Sequence, residues 1–481
     1  MKLALVLALL PFLSGMLLVF LKSEKLKYVA LTISLCTLFY FLYILISFQA
    51  DQGIQYACQF EWIPGFKSSF HIGVDSGSII PLLLTQIVIP LSILLAFFNT
   101  RTSSYYGLIL MTQGALNAFF CAQNPITFYV FFELALIPIY FVVLLWGGEN
   151  RKAAVFKFFI YTVFGSFLLL ASILAFNFFT GSQLLNTWSD LYGLETPLQI
   201  QHLLLISFFI TFGIKAPIFP FHTWQVNLYE QADRPTVIII AAVLSKMGAF
   251  GLYRFSGSVN ESLSILGPYL MGICIVGILY GALIAWKQNI IPRLLAYSSL
   301  SHMSLIMMGV LSYNVKSMQG AMYQILIHGL SAAGLFVVAD VLIRRTLNSN
   351  INASEGMAKV NQKIAIYFFI ILLSSIGLPL TAGFIGEFFL LSGITEYNMW
   401  MGILAGTSII LGAVYMLLFY QRSMFGNSSA VTEHPVVLDI KEESIFIILI
   451  VLVFVFGLFP QSWLAISDFA ISQFPNVSNS K

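Results

Sequence analysis

Apolar runs of about twenty residues, the length an α-helix needs to cross the hydrocarbon core of a bilayer, follow one another along the chain with short polar interruptions. The pattern predicts fourteen spans, at 3–21, 27–48, 78–98, 105–122, 125–146, 153–178, 203–222, 235–255, 266–286, 291–311, 318–343, 363–395, 399–421 and 444–466. The fold class that follows is an all-α polytopic membrane protein. The first run, behind Lys2, imitates a secretory signal. Because further spans follow directly, it is expected to stay as the first helix.

Two spans carry their own interruptions. In span 7, residues 209–224 read FITFGIKAPIFPFHTW. Pro217 cannot donate to the carbonyl of Gly213, nor Pro220 to that of Ala216, so the helix is expected to break beside Lys215. Span 12 is too long for one simple crossing and contains Gly377, Pro379, Gly383 and Gly386 in IGLPLTAGFIGEF. It too is expected to break, with the carbonyl of Ser375 freed. The broken spans are five apart. Copies of a five-helix unit have opposite orientations in the membrane, an arrangement that many transporters build from inverted repeats and discontinuous helices. The predicted organisation is therefore 1–104 (spans 1–3 and an outward loop), 105–260 (spans 4–8), 261–422 (spans 9–13, the inverted copy) and 423–481 (span 14 and tail). At the breaks, Ile214-Lys-Ala-Pro-Ile218 is set against Ile376-Gly-Leu-Pro-Leu380, which share little beyond Ile-x-x-Pro.

Composition agrees with the spans: 59% of residues are hydrophobic and 9% charged, against about 25% charged in soluble domains. A net charge of +3 gives no reason to expect nucleic acid. The cysteines at 36, 58, 121 and 274 form no CxxC, so neither a zinc nor an iron–sulfur site is readable, and no glycine-rich nucleotide loop is present. Of 23 Lys and Arg, sixteen fall in loops after odd-numbered spans, five on the opposite side, and two, Lys215 and Lys246, inside spans. Basic loops stay cytoplasmic, so both termini are expected to face outward. Two outward loops are long, 49–77 with Asp51, Trp62 and Pro64, and 179–202 with Asp190. They are expected to form a lid or to contact a neighbouring subunit.

Charges inside the membrane are costly and mark ion paths. Glu133, the sole carboxylate of span 5, is expected to pair with Lys215, the alternative being a protonated glutamate packed for structure. Lys246 has no carboxylate at i±3 or i±4 and is the best single candidate for a proton relay, against a lysine that snorkels to the interface. His302 and His328 lie among Ser298, Ser299, Ser301, Tyr323 and Gln324. They can pass protons, or be satisfied core histidines. Metal binding is not expected, since no second ligand lies at helical spacing. Glu387 follows the second break as the rough counterpart of the Lys215 region, where a terminal proton carrier fits. Asp340 and Arg344, four apart, read as a surface-side ion pair. His222, Asp233 and Arg234 are either solvated or proton-admitting.

In this order, FFELALIPIYFVVLLWGGENR, GIKAPIFPFHTW, LSKMGAFGLYRF, LAYSSLSHMS, HGLSAAGLF and GLPLTAGFIGEF resemble the antiporter-like subunits of proton-pumping NADH:quinone oxidoreductase, respiratory complex I. Within them the resemblance is to the M type, subunit 4 in mitochondria. It implies a proton-translocating membrane-arm subunit: Glu133 and Lys215 as the glutamate–lysine pair, Lys246 as the central lysine, His302 and His328 joining the halves, and Glu387 as the exit carboxylate. Lysine is usual at the Glu387 position in the L and N types and in sodium/proton antiporter chains. It also implies no cofactor in this chain, with NADH, FMN, iron–sulfur clusters and quinone in other subunits. The implied partners are the L- and N-type subunits and the lipid of a bacterial inner or mitochondrial inner membrane. After Trp224 the chain reads QVNLYEQADRPT, a departure from the family's Leu-Pro-Asp or Leu-Pro-Ala run and second histidine. Two other readings are a subunit of a multisubunit Na+/H+ antiporter or membrane-bound hydrogenase, and a scaffold subunit whose buried charges no longer conduct.

Overall fold

The structure, a computed structural model, describes residues 2–63, 68–179, 187–194, 196–426 and 437–475. Pro64, Lys67 and Lys481 of the expected loops and charge count lie outside them. Ten helices are long and apolar enough to cross a membrane, or twelve if each of two bent pairs is one crossing, among the described residues. Part of the distance from fourteen has a physical reason. Arg234–Lys287 runs as 54 helical residues and takes in spans 8 and 9. Ser103–Phe120, the fourth span, carries Thr112, Gln113 and Asn117, all buried, so its polarity is hidden by neighbours.

Three helices form the core. Ser76–Ala96, Ile291–Leu311 and Val315–Thr346 are buried almost all round, and a helix enclosed on every side can carry polar residues that lipid would reject. Around them, helices such as Arg151–Phe179 present Phe156, Phe164 and Phe167 outward. Leu3–Phe20 lies close against Ser103–Phe120. A Cβ on Gly15 would stand 2.5 Å from the carbonyl oxygen of Gly107, and one on Gly107 2.6 Å from that of Gly15, the close backbone approach that small residues allow between membrane helices.

The first of the two long loops holds the one sheet among the described residues. Strand β1 (Gln55–Ile63) pairs antiparallel with β2 (Ser68–Val74). β2 also bonds the link between spans 4 and 5: Gly73 N donates to Cys121 O at 2.8 Å, and Gln123 N to His71 O at 3.0 Å. Asp75 then caps Ser76–Ala96 and receives Arg254 at 2.6 Å. Where the sequence predicts a single last span at 444–466, the helix runs over Ile440–Leu458 and bends by 68° into Gln461–Ser472. Pro460 ends the first piece, and the second returns over the protein, with Gln319 bonded to Asp468.

The Asp340–Arg344 pair is made at 2.7 Å, but as part of a buried cluster rather than a surface contact. Glu442 accepts from Arg344 at 2.7 Å and from Arg345 at 2.7 and 3.1 Å, and its Oε2 accepts from the Asp439 amide.

Candidate functional site

Span 7 breaks where its prolines require. The helix Leu198–Lys215 ends on the lysine and resumes as Thr223–Gln231. The Gly213 carbonyl, denied a donor by Pro217, accepts from Ile218 N at 3.0 Å, and the Trp224 indole donates to Ile214 O at 2.9 Å. The carbonyls of Gly213 and Ile214 are thus taken up by protein, as membrane depth demands. Span 12 breaks between Gln362–Ser375 and Ala382–Tyr397. Its bonds repeat the first break: Ile376 N to Leu372 O and Leu378 N to Leu373 O match Ala216 N to Phe212 O and Ile218 N to Gly213 O. Residues 211–220 therefore superpose in pattern on 371–380, an offset of 160. This corrects the pairing of Ile214 with Ile376. In this register Lys215 stands opposite Ser375, and Glu387 reaches back from the following half-helix to Gly377 at the break.

Lys215 is 2% exposed, and its Nζ sits 4.5 Å from the centre of the Phe132 ring. A cation over a ring face is attracted by the ring quadrupole, and the half-helix C-terminus adds a favourable dipole. Glu133, one residue on, lies on Pro125–Leu134, a helix interrupted at Ala135 because Pro138 cannot donate to Leu134. The two charges feel each other without forming an ion pair: Lys215 Nζ and Glu133 Oε1 both lack a hydrogen-bond partner among the described residues. The expected direct contact is replaced by a lysine resting on the neighbouring phenyl ring.

Lys246 is wholly buried. Just before it, Ile240–Leu244 winds as a π-helix, with Ser245 N donating to Ile240 O at 3.1 Å. The wider turn leaves the Ala241 carbonyl accessible, and it accepts from Lys246 Nζ at 2.6 Å and from Ser245 Oγ at 2.8 Å. Single π turns of this kind recur at functional sites. Gly248, two residues on, presses against the first break: its Cβ would stand 2.5 Å from Ala216 N and 2.8 Å from Ala216 Cβ. Gly248→Val is expected to cost about 2–3 kcal/mol by overpacking, read as a lower melting temperature and less assembled protein. An unchanged melting temperature would show that the break gives way.

His302 and His328, on two of the core helices, are both buried. The two imidazoles stack, with centroids 5.0 Å apart, and His328 Nε2 is 3.3 Å from Ser299 Oγ. His302 Nδ1 is 3.4 Å from Glu387 Oε1, in ion-pair range but not aligned as a hydrogen bond, since that nitrogen has no hydrogen-bond partner. Glu387, 4% exposed, lies against Gly377, which holds φ +71° at the second break. The structure thus brings His328, His302 and Glu387 together, with Lys246 and the Lys215 break on either side of the Gly248 contact.

Several polar groups are placed otherwise than the sequence suggests. His222 is 3% exposed and packs among Phe219, Tyr280 and Tyr297. Asp233 accepts from Tyr105 at 2.7 Å and Thr236 at 2.6 Å, with Arg101 at 3.6 Å. Burial pushes its carboxyl above the usual range, against these donors. Neither is solvated. The π turn, the Asp75–Arg254 pair and Glu442 carried no motif. IIIAAVLSK is plain apolar sequence, and the charged partners are 179 and 98 residues apart.

The NADH:quinone oxidoreductase/Mrp antiporter transmembrane family matches residues 122–412. The NADH-quinone oxidoreductase subunit M of Rickettsia prowazekii is 35% identical over 462 residues, covering 94% of this chain and 93% of the relative. NADH-ubiquinone oxidoreductase chain 4 of Marchantia polymorpha is 32% identical, covering 88% and 86%. Among solved structures, a chain of respiratory complex I from Thermus thermophilus with bound NADH superposes with a TM-score of 0.89 at 27% identity, covering 98% of this chain and all of that one.

Proposed function

The chain belongs to the NADH:quinone oxidoreductase/Mrp antiporter transmembrane family, and on that premise we propose that it is the M-type antiporter-like subunit of complex I. In that role it moves protons outward while redox chemistry proceeds in other subunits. The observation that carries the proposal is the buried group His328, His302 and Glu387, together with the buried Lys246, whose helix packs through Gly248 on the Lys215 break. In this reading NADH, flavin, iron–sulfur clusters and quinone stay with the partner subunits. The halves 105–260 and 261–422 act as inverted repeats, and the basic loops face the cytoplasm or matrix.

The proton path starts from the Lys215–Glu133 neighbourhood. Were the two to close to about 4 Å at an effective dielectric of ~20, the pair would gain about 4 kcal/mol, enough to change the proton affinity of Lys215 and push charge towards Lys246. From there the histidines relay to Glu387. In inverted membrane vesicles, Lys246→Met, which keeps length and burial but cannot hold a proton, is expected to assemble and lose NADH-driven proton uptake by about fivefold or more. Full uptake would remove Lys246 from the path. Retained coupling after neutralising Lys246, His302, His328 and Glu387 would favour the scaffold reading.

A further inference from the structure

On the side of the molecule where Asp75 and Arg254 meet, three helices of the candidate site are pinned by a residue that belongs to none of them. The helix Lys246–Ser256 reaches Tyr253 there. The link 312–314 joins Ile291–Leu311, which carries His302, to Val315–Thr346, which carries His328. Phe474 stands between, just beyond the helix Gln461–Ser472 and buried. Its ring meets Tyr253 edge-on with centroids 4.9 Å apart and Tyr313 edge-on at 6.3 Å, and it stacks on Tyr192 at 5.1 Å. The Tyr313 hydroxyl donates to Pro475 O at 2.9 Å. Gly257 leaves the room, since a Cβ there would stand 2.9 Å from the Phe474 ring. Two features set this contact apart from ordinary packing. Tyr313 holds φ +49°, a left-handed conformation that a non-glycine residue seldom adopts and that persists only where the surroundings over-determine it. The link between the two histidine helices is therefore a strained turn, and the 474–475 segment grips its one tyrosine by both ring and hydroxyl. Aromatic pairs are also directional, so a ring boxed by three tyrosines fixes angles as well as distances.

We propose that Phe474 is a positioning residue for the buried proton-carrying groups. It fixes the end of the Lys246 helix against the link between the His302 and His328 helices, and so sets the gap that a proton crosses between the lysine and the histidines. The proposal rests on the proton-translocating reading above and adds to it a residue that carries no proton itself. A carrier must stand within hydrogen-bond reach of the next, or within one water of it, so a small drift between these helices lengthens the slowest transfer. Because close-packed interiors pass strain on rather than absorb it, a pin at the helix ends can hold that gap from a distance.

The test is proton uptake in inverted vesicles carrying Phe474→Ala, Phe474→Tyr or Tyr313→Phe, with Lys246→Met in parallel and NADH–ferricyanide activity to count assembled complexes. Phe474→Ala is expected to slow NADH-driven proton uptake per assembled complex about fivefold, less than the loss of a proton carrier itself. The solvent deuterium isotope effect on uptake should rise as proton transfer becomes limiting. Phe474→Tyr, which keeps the ring, should restore both the rate and the isotope effect. A merely structural role predicts fewer complexes, each with full uptake and an unchanged isotope effect, and that result overturns the proposal. Slowed uptake that tyrosine does not restore overturns it as well. Full uptake in Phe474→Ala while Lys246→Met is impaired removes Phe474 alone, whereas full uptake in both overturns the translocation reading beneath it. If Phe474→Ala fails to assemble, Tyr313→Phe, which loses the bond to Pro475 O and keeps the ring, reads the same pin. Slowed uptake with a raised isotope effect there supports the proposal, and normal uptake overturns it.

Discussion

Lys215→Ala is expected to leave the complex assembled and to lower NADH-driven proton uptake by at least about tenfold, the equivalent of ~1.4 kcal/mol on the limiting step. Assembly should survive because the ammonium makes no hydrogen bond among the described residues that its removal would orphan, and the Phe132 ring beneath it is content in an apolar setting. Keeping a lysine at this depth costs at least ~2.5–3.5 kcal/mol on insertion scales, and alanine, a better helix former, recovers it. The loss falls on coupling instead. Lys215 and Glu133 form no ion pair here, and under the proposed function it is the closing of that pair that changes proton affinity. Comparing proton uptake with electron transfer in the same vesicles decides the matter. If both persist at normal stoichiometry, the broken helix is structural.

Glu442→Ala is expected to have the largest effect on stability, about 3 kcal/mol, since removing one member of a buried charged cluster leaves the others uncompensated. Glu442 satisfies Arg344, Arg345 and the Asp439 amide at once and is itself 1% exposed at the side chain. Its arginines are partly open, at 27% and 13%, which keeps the cost below that of a fully enclosed triad. Arg344 retains Asp340 and the Phe98 ring at 4.6 Å, so Arg345 bears most of the loss. A melting curve of the purified complex measures it. A shift within error would mean that solvent already serves both arginines.

What the sequence made legible follows from where the physics is local. Pro217, Pro220 and Pro379 each delete a donor from a helix, and the two breaks stand where those deletions fall. The buried charges could be named one by one because hydrocarbon makes each of them expensive. What could not be read depends on residues meeting across long separations or on backbone strain without a composition. The π turn before Lys246 lies in unremarkable aliphatic sequence. The hairpin of β1 and β2 is set by bonds to the link at 121–124, and Glu442 finds its arginines nearly a hundred residues away. The Lys215–Glu133 pairing was inferred from opposite charge and from the resemblance, and neither signals that the ammonium rests on the Phe132 ring. The offset of 160 between the breaks became visible only through hydrogen bonds, since Lys215 and Ser375 share no chemistry.

The contact of Gly248 with Phe212 O and Ala216 N is a bearing with no free play. A larger residue would hold the two helices apart and let the broken segment shift by a fraction of an ångström before its neighbour felt it. With backbone resting on backbone, displacement of the Ala216 turn is handed at once to the helix that carries Lys246. Close-packed interiors transmit strain rather than absorb it. The absence of a side chain at one position thus works as a mechanical linkage between the two segments that carry the buried lysines.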